Sequence, residues 1–329
     1  MKGQVNLALL GVAVLLACGL GVARCWADTI YLSTFNLNTI DKFDSNGVGT
    51  VFATAADGLD YPLGLAVDSG GDLYVANAFG GTIEKFTPSG AWSVFATSGL
   101  SFPSALAFDG SGNLFVANEV NNTIEEFDSS GTGTVFATGK SGVSAPDGLA
   151  FDGAGNLYVA NQGNNTIEEF DPSGTGTVFA TALQGVSNPG GLAFSGGYLY
   201  VANHGNTTIE RFSFSGQGGV FSSTNLLAAP IGLAFDRSGN LYVANHGLGN
   251  IVEFDPSGVG SVFANGLEGA ANYITIAIDV PEPSTVVLTA LMVVGLAGAR
   301  VRGRFVGRRR GGGEDGVAAG GCDWPGFRS

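Results

Sequence analysis

Residues 146–171 read P-D-G-L-A-F-D-G-A-G-N-L-Y-V-A-N-Q-G-N-N-T-I-E-E-F-D, and the same pattern returns along most of the 329-residue chain. Within it lie a G-L-A-F-D string, an L-Y-V string and an I-x-x-F string; a V-F pair follows at Val178 and Phe179. The Asn that closes V-A-N recurs at Asn77, Asn118, Asn161, Asn203 and Asn245, at intervals of 41, 43, 42 and 42 residues. A period near 42 with four short β-rich strings predicts one four-stranded propeller blade per repeat. The strings are rich in Val, Ile, Phe and Tyr and are separated by Gly, Asn, Asp, Ser and Pro, so each repeat reads as an antiparallel meander.

The chain enters the repeat out of phase. Residues 28–54 supply the second, third and fourth strings of a blade but no first string. The missing string lies at the far end, where residues 273–279 line up with residues 146–152 and end on the same A-x-D. Five complete repeats and one composite blade make six, and pairing the last strand with the first segment removes the open sheet edges. The expected fold is all-β, a six-bladed propeller closed by strand 273–279, followed by a short C-terminal hydrophobic helix.

The repeat resembles the NHL repeat, a family of six-bladed propellers, over roughly residues 28–280. That resemblance implies the fold and leaves function open, because NHL-like propellers include binding modules and unrelated enzymes.

The two ends read as sorting signals. Lys2, an apolar stretch over 5–20 and Cys25, Trp26 and Ala27 form a secretory signal peptide ending at 27. A lipoprotein reading, with processing at Cys18 after Leu15, Leu16 and Ala17, is the alternative. At the other end Pro281, Glu282 and Pro283 precede an apolar stretch over 286–299 and a basic cluster that includes Arg308, Arg309 and Arg310. Segment 281–310 resembles the PEP-CTERM sorting signal of Gram-negative bacteria, which implies processing by an exosortase-type enzyme after transient inner-membrane association through 286–299. Its 14 apolar residues fall short of the roughly 20 that a spanning helix needs. The Gly-rich stretch 311–329 reads as a disordered tail. The expected destination is the cell surface or the extracellular space.

Nine of the 14 Lys and Arg, but only three of the 28 Asp and Glu, lie outside residues 28–285. The propeller segment therefore carries five basic and 25 acidic residues, a formal charge of −20. Such a surface repels nucleic acid and attracts cations and basic partners. Cys18, Cys25 and Cys322 all fall outside it, so disulfides and thiol chemistry are excluded there.

Candidate site residues come from comparing equivalent positions. The residue after V-A-N is Ala78, Glu119, Gln162, His204 or His246, the most diverse polar position of the repeat. His204 and His246 are the only two histidines and occupy adjacent blades, which admits a partial metal site or an acid/base pair. The ring of Asn77, Asn118, Asn161, Asn203 and Asn245 could line one face for a ligand, or bond backbone groups in the turn before the next strand. Regucalcin-like and gluconolactonase-like propellers hold a divalent metal partly through an Asp in P-D-G and an Asn in a matching P-N-G. The corresponding positions read as Leu63, Ser104, Asp147, Gly190, Ile231 and Ile274, a single hard ligand, so no metal and no cofactor is expected and Asp147 reads as a turn cap. The leading expectation is an exported binding or scaffold module for an extracellular ligand or protein. The alternative is a hydrolase or lyase at the channel mouth near His204 and His246.

Replacing Glu282 by Ala should leave unprocessed precursor in the membrane fraction of a host with the sorting enzyme. Normal release of that variant, read by immunoblot of membrane and medium fractions, would remove the sorting role from this segment.

Overall fold

The structure, a computed structural model, describes residues 28–267 and 271–277. It is all-β, with six four-stranded antiparallel sheets arranged as propeller blades. Blade 1 comprises Pro62–Val67, Leu73–Asn77, Thr82–Phe86 and Trp92–Ala96. Blade 2 comprises Pro103–Phe108, Leu114–Asn118, Thr123–Phe127 and Gly133–Thr138. Blade 3 comprises Pro146–Phe151, Leu157–Asn161, Thr166–Phe170 and Gly176–Thr181. Blade 4 comprises Pro189–Ser195, Tyr198–Asn203, Thr208–Ser213 and Gly218–Ser222. Blade 5 comprises Pro230–Phe235, Leu241–Asn245, Asn250–Phe254 and Gly260–Ala264. Blade 6 is composite: Ala271–Ala277, Thr29–Thr34, Thr39–Phe43 and Gly49–Ala53. The first strands touch one another in blade order, and Ala271–Ala277 touches Pro62–Val67, which closes the ring around a central channel. The expected C-terminal helix, the two expected sorting segments and the 311–329 tail lie outside the described residues.

Each blade is apolar on both faces, so its core is shared with its neighbours. Tyr74 on blade 1 packs edge-on against Phe95 of its own blade and Phe108 of blade 2, with centroids 5.0 Å away in each case. Phe115, Tyr158 and Tyr200 repeat the contact on the next three blades, reaching Phe151, Phe194 and Phe235 at 4.9–5.0 Å. Edge-to-face pairs of this kind contribute about 0.5–1.5 kcal/mol each beyond the area they bury. Third-strand Phe86, Phe127, Phe170, Phe212 and Phe254 are fully buried in the same seams. Beside them lies a row of buried carboxylates, Glu84, Glu125, Glu168 and Glu210, whose pKa values desolvation raises.

The closing strand is the expected one, in a different register. Ile274 pairs with Leu32, Ile276 with Ile30 and Ala271 with Thr34. Leu149 pairs with Val159 and Pro146 with Asn161 on blade 3, so Ile274 corresponds to Leu149 and Ala271 to Pro146. Alignment on A-x-D had placed the strand at 273–279, two residues too late; Ile278 and Asp279 lie outside the described residues. A slip of two keeps the same side chains on the same face, so the Ile274, Ile276, Ile278 alternation is blind to it. Pairing with Thr29–Thr34 decides the register.

This register makes Ile274 part of the core and leaves Ile276 half-buried. Ile274→Ala should cost about 2–5 kcal/mol, several degrees in Tm, and more than Ile276→Ala. A chain ending before Ala271 should lose the ring's cooperative melting. A larger loss for Ile276→Ala than for Ile274→Ala would restore the later register, in which Ile276 takes the place of Leu149.

Candidate functional site

The channel mouth is assembled from the ends of the second strands and the starts of the first strands. Each V-A-N asparagine is fully buried and brackets the loop leading into its own blade. Asn161 Nδ2 donates to the Gly142 carbonyl at 3.0 Å and to Thr166 Oγ1 at 3.2 Å, while its Oδ1 accepts from the Ser144 N–H at 2.9 Å. Asn77, Asn118, Asn203 and Asn245 make the equivalent three bonds, with Asn250 replacing Thr on blade 5. Both amide ends are thus engaged inside the fold, and these five side chains hold the mouth loops rather than line them.

The next residue turns onto the mouth. The backbone N–H groups of Ala78, Glu119, Gln162, His204 and His246 donate to the carbonyls of Tyr61, Phe102, Ala145, Asn188 and Ala229 at 3.0–3.2 Å. On blade 6 Thr34 takes the place of the asparagine, as its pairing with Ala271 shows, so Phe35 is the sixth member of this ring. Each first strand then bulges just after its proline, which re-aims the following residue.

The corrected register changes the chemistry of that bulge position. Its six members are Leu63, Ser104, Asp147, Gly190, Ile231 and Asn272, not Ile274. Asp147 and Asn272 therefore face each other from blades 3 and 6, three apart in the ring. The next position carries Gly64, Ala105, Gly148, Gly191 and Gly232, and Tyr273 on blade 6. Small residues are required there because the first strands crowd: a Cβ on Gly148 would lie 2.1 Å from the Gly190 carbonyl oxygen. Tyr273 is the exception, and its hydroxyl reaches across to both the backbone carbonyl and the carboxyl of Asp147. Asp147 is thus tied across the channel and is not the turn cap that its sequence context suggested.

Burial pushes the Asp147 carboxyl up to about 7; the Tyr273 hydrogen bond opposes the rise and the nearby Glu119 adds to it. Burial likewise raises Glu119, and the Tyr273 phenol rises well above its ordinary value through burial and the charge of Asp147. Gln162 Nε2 donates to Asp147 Oδ2 at 3.4 Å. Across the mouth, His204 and His246 lie with ring centroids 6.4 Å apart. His204 Nδ1 meets the Asn188 amide at 3.1 Å, and His246 Nδ1 meets Asn272 Oδ1 at 2.7 Å. Desolvation, then the neighbouring His246, lowers the pKa of His204. A cavity of about 340 Å³ in the channel is lined by Leu65, Leu106, Leu149, Leu192, Leu233 and Ile274, with Tyr273 in its wall.

Asp147 and Asn272 are the Asp and the Asn of the bulge position, and both are hydrogen-bonded within the site. Asn272 Oδ1 engages His246, and Asp147 engages Tyr273 and Gln162. Among the described residues no group of three or more His, Cys, Asp and Glu is arranged to hold a metal ion.

Comparison with known proteins gives the fold a setting. Residues 95–201, from the fourth strand of blade 1 into blade 4, match the family described as SMP-30/Gluconolactonase/LRE-like region. The fold is a six-bladed propeller similar to that family. A chain of a nidogen/laminin complex is 20% identical, with a TM-score of 0.66 over 76% of this chain and 98% of its own. Virginiamycin B lyase from Staphylococcus aureus is 18% identical, with a TM-score of 0.59 over 73% of this chain and 82% of its own. A catalytically inactive histidine-to-alanine variant of that lyase, with quinupristin, is 16% identical, with a TM-score of 0.60 over 78% of this chain and 94% of its own. No curated protein matches the sequence. At these identities the structural likeness is one of fold.

Tyr273, Asn272, Asn188 and Phe35 went unseen in the sequence. The first two were hidden by the two-residue slip; Phe35 follows S-T where the other blades have A-N.

The pKa shifts set a pH dependence. Asp147 and the four buried glutamates all have raised folded-state values, so their contribution to stability is full below the ordinary carboxylate range. It is lost as pH rises through the folded values, for Asp147 between about 4 and about 7. Tm should therefore fall from pH 5 to pH 8, and Asp147→Asn should make the decline shallower. An identical Tm-versus-pH profile for that variant would show that Asp147 titrates normally.

Proposed function

We propose that this chain is an exported binding module whose recognition surface is the channel mouth. One observation carries the reading: six equivalent mouth positions hold Phe35, Ala78, Glu119, Gln162, His204 and His246, while the framework around them barely changes between blades. Framework positions meet the same neighbours in every blade and so take the same residue. The mouth positions meet different neighbours on each blade, from the buried Ala78 to the exposed His246, so the repeat does not impose one residue type on them. Propellers with this fold include a chain of a nidogen/laminin complex, which supports a role in binding.

Export rests on the two ends of the sequence. The N-terminal signal over 1–27 delivers the propeller across the inner membrane of a Gram-negative bacterium. Pro281, Glu282 and Pro283, the apolar stretch and the Arg cluster then hand it to an exosortase-type enzyme for release to the surface or the extracellular matrix. Its acidic surface suits a basic or neutral ligand and disfavours nucleic acid.

A lyase or hydrolase is the second reading, favoured by the histidine pair. His204 and His246 are close, their Nδ1 atoms are held by Asn188 and Asn272, and desolvation followed by His246 lowers the pKa of His204, which favours its neutral form. The fold neighbours include the virginiamycin B lyase and its inactive histidine variant. Incubation with quinupristin, followed by chromatography for a converted product that disappears with His246→Ala, decides for this reading.

The binding reading is tested with a glycan and small-molecule array on the purified chain. A variant carrying Glu119→Ala, Gln162→Ala, His204→Ala and His246→Ala should lose the retained ligands by tenfold or more, about 1.4 kcal/mol. His204→Ala alone should change stability by no more than about 0.5 kcal/mol, the range of surface substitutions. Ligands retained at full strength by the fourfold variant would move the binding face elsewhere.

A further inference from the structure

The channel mouth is divided into two unlike sectors. Large aromatic side chains gather on three consecutive blades: Phe35 on blade 6, Tyr61 and Phe79 on blade 1, and Phe102 at the entry to blade 2. Their ring centroids lie 4.8 Å apart for Phe35 and Tyr61, 4.6 Å for Tyr61 and Phe79, and 5.4 Å for Phe79 and Phe102. The rings are tilted to one another by 56–74°, so the cluster presents ring faces as well as edges. Phe79 is 63% exposed, and Val120 at the equivalent position of the next blade is 68% exposed. The positions matching Tyr61 and Phe102 on blades 3, 4 and 5 are Ala145, Asn188 and Ala229; those matching Phe79 are Gly163, Gly205 and Gly247.

Neither folding nor local conformation asks for aromatics here. Phe79, 63% exposed, gains only part of the burial free energy that the same residue supplies in a core. Tyr61 and Phe102 also sit at φ of +54° and +55°, a left-handed conformation disfavoured for bulky side chains. The loop demands that conformation on every complete blade, and blade 4 meets it with Asn188, a residue type that tolerates it well. Two adjacent loops instead display rings on a strained backbone, a pattern associated with ligand contact.

The charges around the cluster are of one sign. Asp60, exposed, directly precedes Tyr61, and its carboxylate lies by Gly80 next to Phe79: a Cβ on that glycine would come within 3.3 Å of Asp60 Oδ2. Glu119 follows on blade 2, its N–H bonded to the Phe102 carbonyl at 3.1 Å and its carboxyl near Asp147. No Lys or Arg occurs at any of the mouth positions named above, and residues 28–285 carry a formal charge of −20.

We propose that the Phe35–Tyr61–Phe79–Phe102 sector binds an organic cation, an ammonium group with an apolar shell, with Asp60 and Glu119 as its counter-charges. Ring faces attract such a cation through their quadrupole, and the alkyl shell buries apolar surface against them. An anionic ligand is repelled by the same carboxylates. This inference rests on the mouth as the recognition surface and names the chemistry of one half of it.

Ligand-observed NMR titration of the full chain with choline, and with its uncharged isostere 3,3-dimethyl-1-butanol, tests the proposal. Choline should bind at least tenfold more tightly than the alcohol, and Phe79→Ala, a substitution at an exposed position, should weaken choline about five- to thirtyfold. Glu119→Gln should weaken it less and reduce its salt dependence. Equal affinity for the two probes, both lost with Phe79→Ala, would overturn the cationic class while leaving the mouth as a binding face. Choline that does not bind, or binds unaltered by Phe79→Ala, would overturn the site itself. Loss of array ligands in a variant carrying only Gln162→Ala, His204→Ala and His246→Ala, none of them in the aromatic sector, supports the broader reading apart from the choline result, and their retention overturns it.

Discussion

No blade of this propeller can bury its own faces, and the rest of the structure follows from that constraint. Tyr74 has Phe95 on its own sheet and Phe108 on the next; Phe115, Tyr158 and Tyr200 stand in the same relation to theirs. Each pair is worth little alone. The pair recurs at four of the six seams, every sheet needs two neighbours, and a chain of five complete repeats and one divided blade meets that demand by donating Ala271–Ala277 to the sheet begun by Thr29–Thr34.

Closure in turn decides what the channel can hold. Six first strands converge so tightly that the position after the bulge is Gly or Ala on five blades. Blade 6 alone places a ring there, and Tyr273 spans to Asp147 on the opposite blade, with the apolar cavity against its side. Burial and the neighbouring Glu119 then hold the Asp147 carboxyl near neutrality. Asp147 is thereby an internal tie across the channel. The buried V-A-N asparagines complete the arrangement, because they pin the loops from which the mouth side chains rise.

A division of labour results. The walls of the ring are repetitive since each blade sees the same surroundings, and variation is confined to the mouth. There the two halves differ in kind: a polar arc of Gln162, Asn188, His204 and His246, and an aromatic arc bordered by carboxylates. A ligand matching both would carry hydrogen-bonding groups on one side and an apolar cation on the other.

The sequence by itself determined the number of blades, the four strands of each and the use of both chain ends in one sheet. These are local properties: strand alternation, turn residues and a period near 42 are written in consecutive residues. It also singled out Glu119, Gln162, His204 and His246, because equivalent positions can be compared without knowing where they point. It did not determine the register of Ala271–Ala277, since a slip of two leaves the apolar alternation intact, and with that register went Asn272 and Tyr273. Nor did it separate the structural role of the asparagines from a ligand role, which turns on burial. The tie between Tyr273 and Asp147 joins residues 126 apart, and the aromatic sector joins side chains from three blades. Only ring closure brings such residues together, and no periodic pattern along the chain carries that information.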